Sequence, residues 1–300
     1  MPLRVLVSGS SGLVGSALVP ALLAAGHEVK HLVRGPVKMP DQISWNPAEP
    51  LPPESVAGFD AVVHLAGESI VGRWTEAKKR RIIDSRVPAT RHLAVALSTT
   101  AQRPRVFICA SAIGYYGDRG EESLREDSPP GEGFVGEVCR QWEAVAQSVK
   151  NAGIRDVQIR TGIVLSANGG ALGKMLPPFR MGVGGNVGNG RQWMSWIDLQ
   201  DEVGAIQYLL TNDSIRGPVN MVSPNPVRNA EFTRTLASVL HRPAVLPMPA
   251  FAARLAFGQM ADELLLASQR VEPSKLVSSG YKFKRPDLRS SLEGILAGKA

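Results

Sequence analysis

Three glycines at a fixed interval, Gly9, Gly12 and Gly15 in SGSSGLVG, are the residues whose types and spacing most directly imply chemistry. A pyrophosphate resting on a helix N-terminus needs free backbone N–H groups with no Cβ between them and the ligand. Gly9 suits the tight turn, Gly12 lets the backbone approach the phosphates, and Gly15 lets the helix pack on its strand. The rhythm is GxxGxxG, not the GxGxxG of the dinucleotide fingerprint, so the glycines alone are a weak signal whose plain alternative is a glycine-rich turn. Their context strengthens them. The apolar run Val5–Val7 comes before, and Leu13, Val14, Ala17, Leu18, Leu22 and Leu23 follow, so a strand turns sharply into a helix.

The segments that must hold such a turn can be read in order. A first helix runs from about Leu13 to Ala25 and stops at Gly26, with Pro20 inside it, where a missing N–H should bend it. The second strand, Glu28 to Val33, selects the nucleotide by its end, since an acidic residue there receives a ribose 2′-hydroxyl and an arginine accommodates a 2′-phosphate. Val33 and Arg34 stand there, with no carboxylate before Asp41, which favours NADP(H) over a reading of Arg34 as a surface charge. AVVHLAG, from Ala61 to Gly67, reads as a strand in the middle of a parallel sheet. His64 is then a core histidine, and Leu65, Ala66 and Gly67 lie at the carboxyl end, where ligands of doubly wound sheets bind. The loop from Glu68 to Trp74 is placed to close over the nucleotide. One long helix is expected from about Glu76 to Leu97, carrying Arg86, then a strand from Arg105 to Ala110 leading into SAIGYYGD. The glycine-dense stretch from Asn168 to Gly190 reads as a long loop of functional or hinge character. Its Lys174 and Arg180, with Trp193 just beyond, suggest a face for an anionic or polar substrate. Asp198 should cap a helix from Asp201 to Leu210, Val219 to Val222 is a further strand, and Asn229 opens a helix to Leu240.

Composition bounds the class. The chain has 300 residues, 44% of them apolar, enough for one large α/β unit or two closely joined lobes. No apolar stretch approaches the roughly 20 residues of a bilayer span, and the first strand breaks into the glycine turn too early for a signal peptide. No membrane partner and a cytoplasmic location are expected. The two cysteines, Cys109 and Cys139, sit in apolar segments without metal spacing, the five histidines are scattered, and no metal site is expected. The net charge of +7 suits an anionic small ligand; its densest run, Lys78 to Arg81, spreads around a helix, so no nucleic-acid partner is expected.

The motifs together resemble a known family. The glycine turn, HLAG, SAIGYYGD, IRTGIVLS from Ile159 and WMSWIDLQDEV from Trp193 occur in the order seen in extended short-chain dehydrogenases/reductases. The closer likeness is to their NAD(P)-dependent sugar-nucleotide epimerase-like branch, sometimes labelled cell-division inhibitor homologues. It extends through GGALGKMLPPFR and to LLLASQRVEPSKLVSSGYKFKRPDL, nearly the whole chain. The resemblance implies an α/β fold with a Rossmann-type doubly wound parallel sheet and a smaller C-terminal substrate lobe. The NADP(H)-binding domain would span residues 1–167, completed by segments within about 191–223, and the substrate lobe 168–190 and 224–300. It also implies cofactor contacts from Gly9, Ser10, Ser11, Gly12, Leu13, Val14, Val33, Arg34, Leu65, Ala66, Gly67 and Arg86.

One departure from the family pattern matters most. Active members use a Tyr, a Lys four residues later and a Ser or Thr, the Lys helping the Tyr to move a proton while hydride passes to or from nicotinamide. Aligned through Trp142 and Glu143, this chain has Val135, Cys139 and, near the Ser position, Ala112. Candidates for a relocated proton-transfer group are Tyr115, Tyr116 and Lys174, with Arg180 and Ser195 further options; Lys174, Arg180 and Trp193 are the substrate-binding candidates. An NADP(H)-dependent oxidoreductase or epimerase acting on an unidentified polar small molecule is one reading. A non-catalytic NADP(H)-binding sensor or interaction module is the other, and a homodimer is left open.

Overall fold

In the computed structural model, which describes residues 1–298, the chain begins β1 (Arg4–Ser8), α1 (Leu13–Ala24), β2 (Glu28–Val33), β3 (Gln42–Ser44), β4 (Ala61–His64), α2 (Glu76–Asp84), α3 (Val87–Thr99) and β5 (Val106–Ala112). It continues with β6 (Ser123–Leu124), α4 (Phe134–Ala146), β7 (Arg155–Thr161), β8 (Ile163–Leu165), α5 (Gly170–Arg180), β9 (Trp193–Met194), β10 (Trp196–Asp198) and α6 (Leu199–Thr211). The remainder is β11 (Gly217–Met221), β12 (Val227–Arg228), α7 (Asn229–Leu240), α8 (Ala250–Phe257), β13 (Arg270–Val271), α9 (Ser274–Ser278) and α10 (Leu288–Leu296).

Seven strands form one parallel sheet in the order β11-β7-β5-β4-β1-β2-β3. The connections reverse direction between β1 and β4, the switch point at which doubly wound sheets bind ligands. Ser8 pairs with His64 there, so the glycine turn after β1 and Leu65–Gly67 after β4 emerge side by side. Period-two alternation divides the apolar strands between two faces. Val5, Val7, Ala61 and Val63 enter a core with Leu18 and Leu22 of α1 and Ile206 of α6. Leu6, Val62 and Phe107 enter another with Leu93 of α3 and Trp142 of α4. A third apolar core, away from the sheet, gathers Leu172 and Phe179 of α5, Trp196, Phe232 of α7 and Leu292 of α10.

Two expectations about elements need correction. The long helix is two, α2 and α3, interrupted at Ser85 and Arg86, with Pro88 in the first turn of α3, where a proline lacks no needed N–H. The stretch read as a loop contains α5, whose Leu172, Leu176 and Phe179 bury into the third core despite two glycines and two prolines. Tertiary burial outweighs propensity there. Helix α1 runs from Leu13 to Ala24 with Pro20 inside it, exposed, as the sequence places it.

Candidate active site

The turn after β1 is shaped by contacts only glycine permits. Gly9 has φ +71°, and a Cβ on it would lie 2.7 Å from the Ala66 nitrogen and the Leu65 carbonyl carbon. A Cβ on Gly15 would lie 2.2 Å from the Gly9 oxygen, so the helix start and the turn are in backbone contact. Gly12 is the N-cap of α1, with no side-chain cap and no acidic residue in the first turn. A helix start of this kind leaves backbone donors and the positive end of the dipole for an anion. Gly12 and Ser11 are exposed, so a dinucleotide pyrophosphate fits this open helix start, whose turn the Cβ-free contacts of Gly9 and Gly15 hold in shape. The start of α5 covers it from the other side: a Cβ on Gly169 would sit 3.3 Å from Leu13 Cδ1. At the end of β2, Val33 is half-buried and Arg34 is exposed, with no ion pair to a carboxylate among the described residues.

Beneath the turn, His64 lies between Ser8 Oγ at 2.6 Å and Thr90 Oγ1 at 3.0 Å, and Trp142 Nε1 donates to the same Thr90 oxygen at 2.8 Å. Burial lowers its pKa to about 4, so it is a neutral core histidine. Arg86, at the break between α2 and α3, donates to the carbonyls of Glu68 (3.0 Å) and Ile82 (3.2 Å) and to Ser85 Oγ (3.2 Å). Its guanidinium lies over the Trp142 ring at 5.1 Å and 3.2 Å from where a Gly67 Cβ would be. Among the described residues no carboxylate pairs with it, and burial lowers its pKa. A desolvated cation facing the end of β4 is suited to charge-assisted bonds with a phosphate.

Ala112, Val135 and Cys139, the positions that the sequence alignment sets against the family's Ser, Tyr and Lys, come together. Val135 and Cys139 lie on α4 in an apolar cluster with Trp74, Ile82 and Met260, and Ala112 packs against it. Burial pushes the Cys139 thiol up to about 12, so it stays protonated. The N-terminus of α4 is closed by a residue from the C-terminal part: the Glu263 carboxylate accepts from the Phe134 and Val135 nitrogens at 3.0 and 2.8 Å. The sequence reading missed this contact, whose partners lie 128 and 129 positions apart.

The candidate side chains meet different fates. Tyr116 is fully buried; its hydroxyl donates to Asn220 Oδ1 and accepts from Arg160 Nη1, and burial raises its pKa to about 12, which removes it from contact with any substrate. Tyr115 is half-buried, with the Arg160 guanidinium 3.5 Å from its ring centroid, and packs against the Val135–Cys139 cluster. Its hydroxyl makes no hydrogen bond among the described residues. Arg160 is itself buried in a two-point ion pair with Glu143, both contacts at 2.8 Å, and Ser111 also donates to Glu143. Arg160 was not singled out from the sequence, and Glu143 entered there only as an alignment point on its helix. Lys174 and Arg180 are exposed on α5. Trp193 instead bonds Glu121 and stacks with Arg228 and Arg270. It borders a cavity of about 450 Å³ shared with Asn225, Glu231, Arg270 and Arg289. Ser195, fully buried, bridges the Gln269 carbonyl and the Val271 nitrogen. No helix among the described residues is long and apolar enough to cross a membrane.

Comparison with known proteins agrees with this geometry. Residues 5–222 match the NAD dependent epimerase/dehydratase family, and residues 248–295 match a domain of unknown function. An epimerase family protein of Mycobacterium tuberculosis is 41% identical over 96% of each chain. The crystal structure of human epimerase family protein SDR39U1 with NADPH superposes with a TM-score of 0.89 at 35% identity, over 98% of this chain and 99% of that one. A nucleoside-diphosphate sugar epimerase from Corynebacterium glutamicum gives 0.84 at 37% identity, over 99% of this chain and 58% of that one. With the parallel sheet, its switch point and the glycine cradle in place, the chain belongs to the NAD dependent epimerase/dehydratase family.

Proposed function

We propose that the chain binds NADPH across the carboxyl edge of the sheet and works as an oxidoreductase or epimerase on a small molecule. The uncapped, acid-free start of α1 against Leu65 and Ala66 carries this reading, and the NADPH complex of the human relative supports it. Gly9, Ser10, Ser11, Gly12, Leu13 and Val14 hold the pyrophosphate, Val33 and Arg34 the 2′-phosphorylated ribose, and Leu65, Ala66, Gly67 and Arg86 the remaining nucleotide. When bound, the cofactor supplies a hydride; the chain must place the substrate, exclude water and move a proton. Tyr115 Oη is our assignment for that proton, with Arg160 fixing the ring. Lys174 and Arg180 offer cations to the substrate and Trp193 a wall. Residues 1–167, with a returning segment within about 191–223, carry the nucleotide, and the rest forms the substrate lobe.

The apolar filling at Ala112, Val135 and Cys139 favours a second reading, in which the protein binds NADPH without turning it over. Titration with NADPH and NADH, followed by nicotinamide fluorescence, tests the cofactor reading. NADPH should bind the wild type tightly, and Arg34→Ala should weaken it by about tenfold or more, to the level of NADH. No binding of either nucleotide to folded protein would refute it. Cofactor returned unchanged from a panel of carbonyl compounds and sugar nucleotides would favour the second reading.

A further inference from the structure

Charge along the carboxyl edge of the sheet is unevenly placed. With the pyrophosphate on the start of α1 and the 2′-phosphate at the end of β2, the strand order leaves β4 and β5 on the other side of β1. The nicotinamide half of the cofactor then extends over those two strands. Arg86 stands there. Its guanidinium lies 3.2 Å from where a Cβ on Gly67, just past the end of β4, would be. It also covers the Trp142 ring, which is one turn along α4 from Cys139.

The groups around Arg86 leave its charge standing. Its hydrogen-bond acceptors are neutral: the carbonyls of Glu68 and Ile82 and the hydroxyl of Ser85. Glu68 turns its carboxylate to Lys78 at 2.7 Å and Arg81 at 3.7 Å. Glu143 is taken up by Arg160, and Glu263 by the nitrogens of Phe134 and Val135. Ala112 and Val135 carry no charge, and the buried Cys139 thiol keeps its proton. A guanidinium cannot be discharged by losing a proton, so this cation is permanent.

A nicotinamide ring is neutral when reduced and carries one positive charge when oxidised. A permanent cation beside it repels only the oxidised form, and does so more strongly where burial lowers the effective dielectric. We infer that Arg86 makes the nucleotide site selective for NADPH over NADP⁺ and the chain a reductase of carbonyl compounds. An epimerase, by contrast, must begin each turnover with the oxidised form. The inference deepens the cofactor reading and rests on it. In the step it implies, the C–H bond at nicotinamide C4 breaks and hydride passes to the substrate's carbonyl carbon. The carbonyl oxygen takes the proton of Tyr115 Oη, and the tyrosine recovers one from water. The carbonyl is reduced to an alcohol and NADPH is oxidised to NADP⁺, whose new charge faces Arg86 and favours its release.

Calorimetric titration of the full chain with NADPH and, separately, NADP⁺ is the test, because the two ligands share every phosphate and differ at the ring. The wild type should bind NADPH about tenfold or more tightly than NADP⁺. Arg86→Gln, which keeps a donor for the Glu68 carbonyl, should bring the two affinities to within about threefold. Arg86→Lys, which keeps the charge, should retain the preference. Adenosine 2′,5′-bisphosphate has no nicotinamide and should bind all three proteins alike, which confirms that each is folded. Equal affinities in the wild type, or a preference for NADP⁺, would overturn the inference in favour of an epimerase, whether or not the variants fold. A preference that survives in Arg86→Gln, or is lost in a folded Arg86→Lys, would overturn it by removing the charge of Arg86 as the cause. Absence of binding of either form to the folded wild type would refute the cofactor reading instead.

Discussion

A phenol serves hydride-transfer chemistry only if its hydroxyl can meet a substrate, and the adjacent tyrosines of SAIGYYGD differ in this. Tyr116 spends its hydroxyl on Asn220 and Arg160 in the interior, whereas Tyr115 keeps its own uncommitted beside α4. Tyr115→Phe should lower turnover by about 10²-fold or more while leaving NADPH affinity unchanged, as expected when a proton-transfer group is lost. Unchanged steady-state rates would remove Tyr115 from that role. Tyr116→Phe acts on stability instead, since it leaves a buried acceptor and a buried guanidinium donor short of a partner, at a cost of about 1–3 kcal/mol. Its melting temperature should fall even if its rate does not. The sequence shows two equal tyrosines because what separates them lies far along the chain: Arg160 is 44 positions from Tyr116, and Asn220 is 104. The glycines of the phosphate turn were legible because their reason is local, a backbone that must double back within a few residues.

Among the elements, α4 shows how much is imported from a distance. Its N-cap is Gly133 at φ +100°, which offers no side chain, and the carboxylate that serves the first turn comes from Glu263. Glu263→Ala should therefore cost about 1–2 kcal/mol, the usual loss on removing a cap with a favourable charge. The urea midpoint should fall with little change in slope; an unmoved midpoint would mean that water replaces the carboxylate without loss. Strands β1, β2, β4 and β5 and helices α1, α6 and α7 could be read from apolar runs and end signals, because local pattern and tertiary burial agree in them. Helix α5 could not. GALGKMLPPFR carries residues that argue against a helix, and only the third core, built from distant α7 and α10, makes it one. The break between α2 and α3 was hidden for the opposite reason, an apolar rhythm that continues across Ser85 and Arg86.

For the whole molecule, two buried groups give opposite responses to pH. Glu202 is fully buried, accepts from Thr161 Oγ1 at 2.9 Å, and leaves its other oxygen without a partner; burial raises its pKa to about 8. The folded chain then keeps a proton that the unfolded chain has lost above about 4.3. Stability falls as pH rises through that window, by about 1.4 kcal/mol per unit at most. His64 acts in the other direction. Its folded pKa of about 4 means that the unfolded chain takes up a proton first, so stability falls as pH drops below about 6.5. Between about 6.5 and 8, of these two groups only Glu202 contributes a slope. Chemical denaturation across that range should show a falling midpoint in the wild type and a flatter one in Glu202→Gln; equal slopes would show that the carboxyl reaches water. The α/β class could be read from the strands and helices in turn, but the buried acid could not, since DEV in a helix looks like a solvated face. The Arg86 guanidinium resting on the Trp142 indole has an optical consequence as well. A cation at that ring perturbs the excited state of the indole, so a phosphate that draws Arg86 away changes the colour of Trp142 emission. On the proposed role of Arg86, nucleotide binding should therefore shift the Trp142 emission, a component that Trp142→Phe should remove.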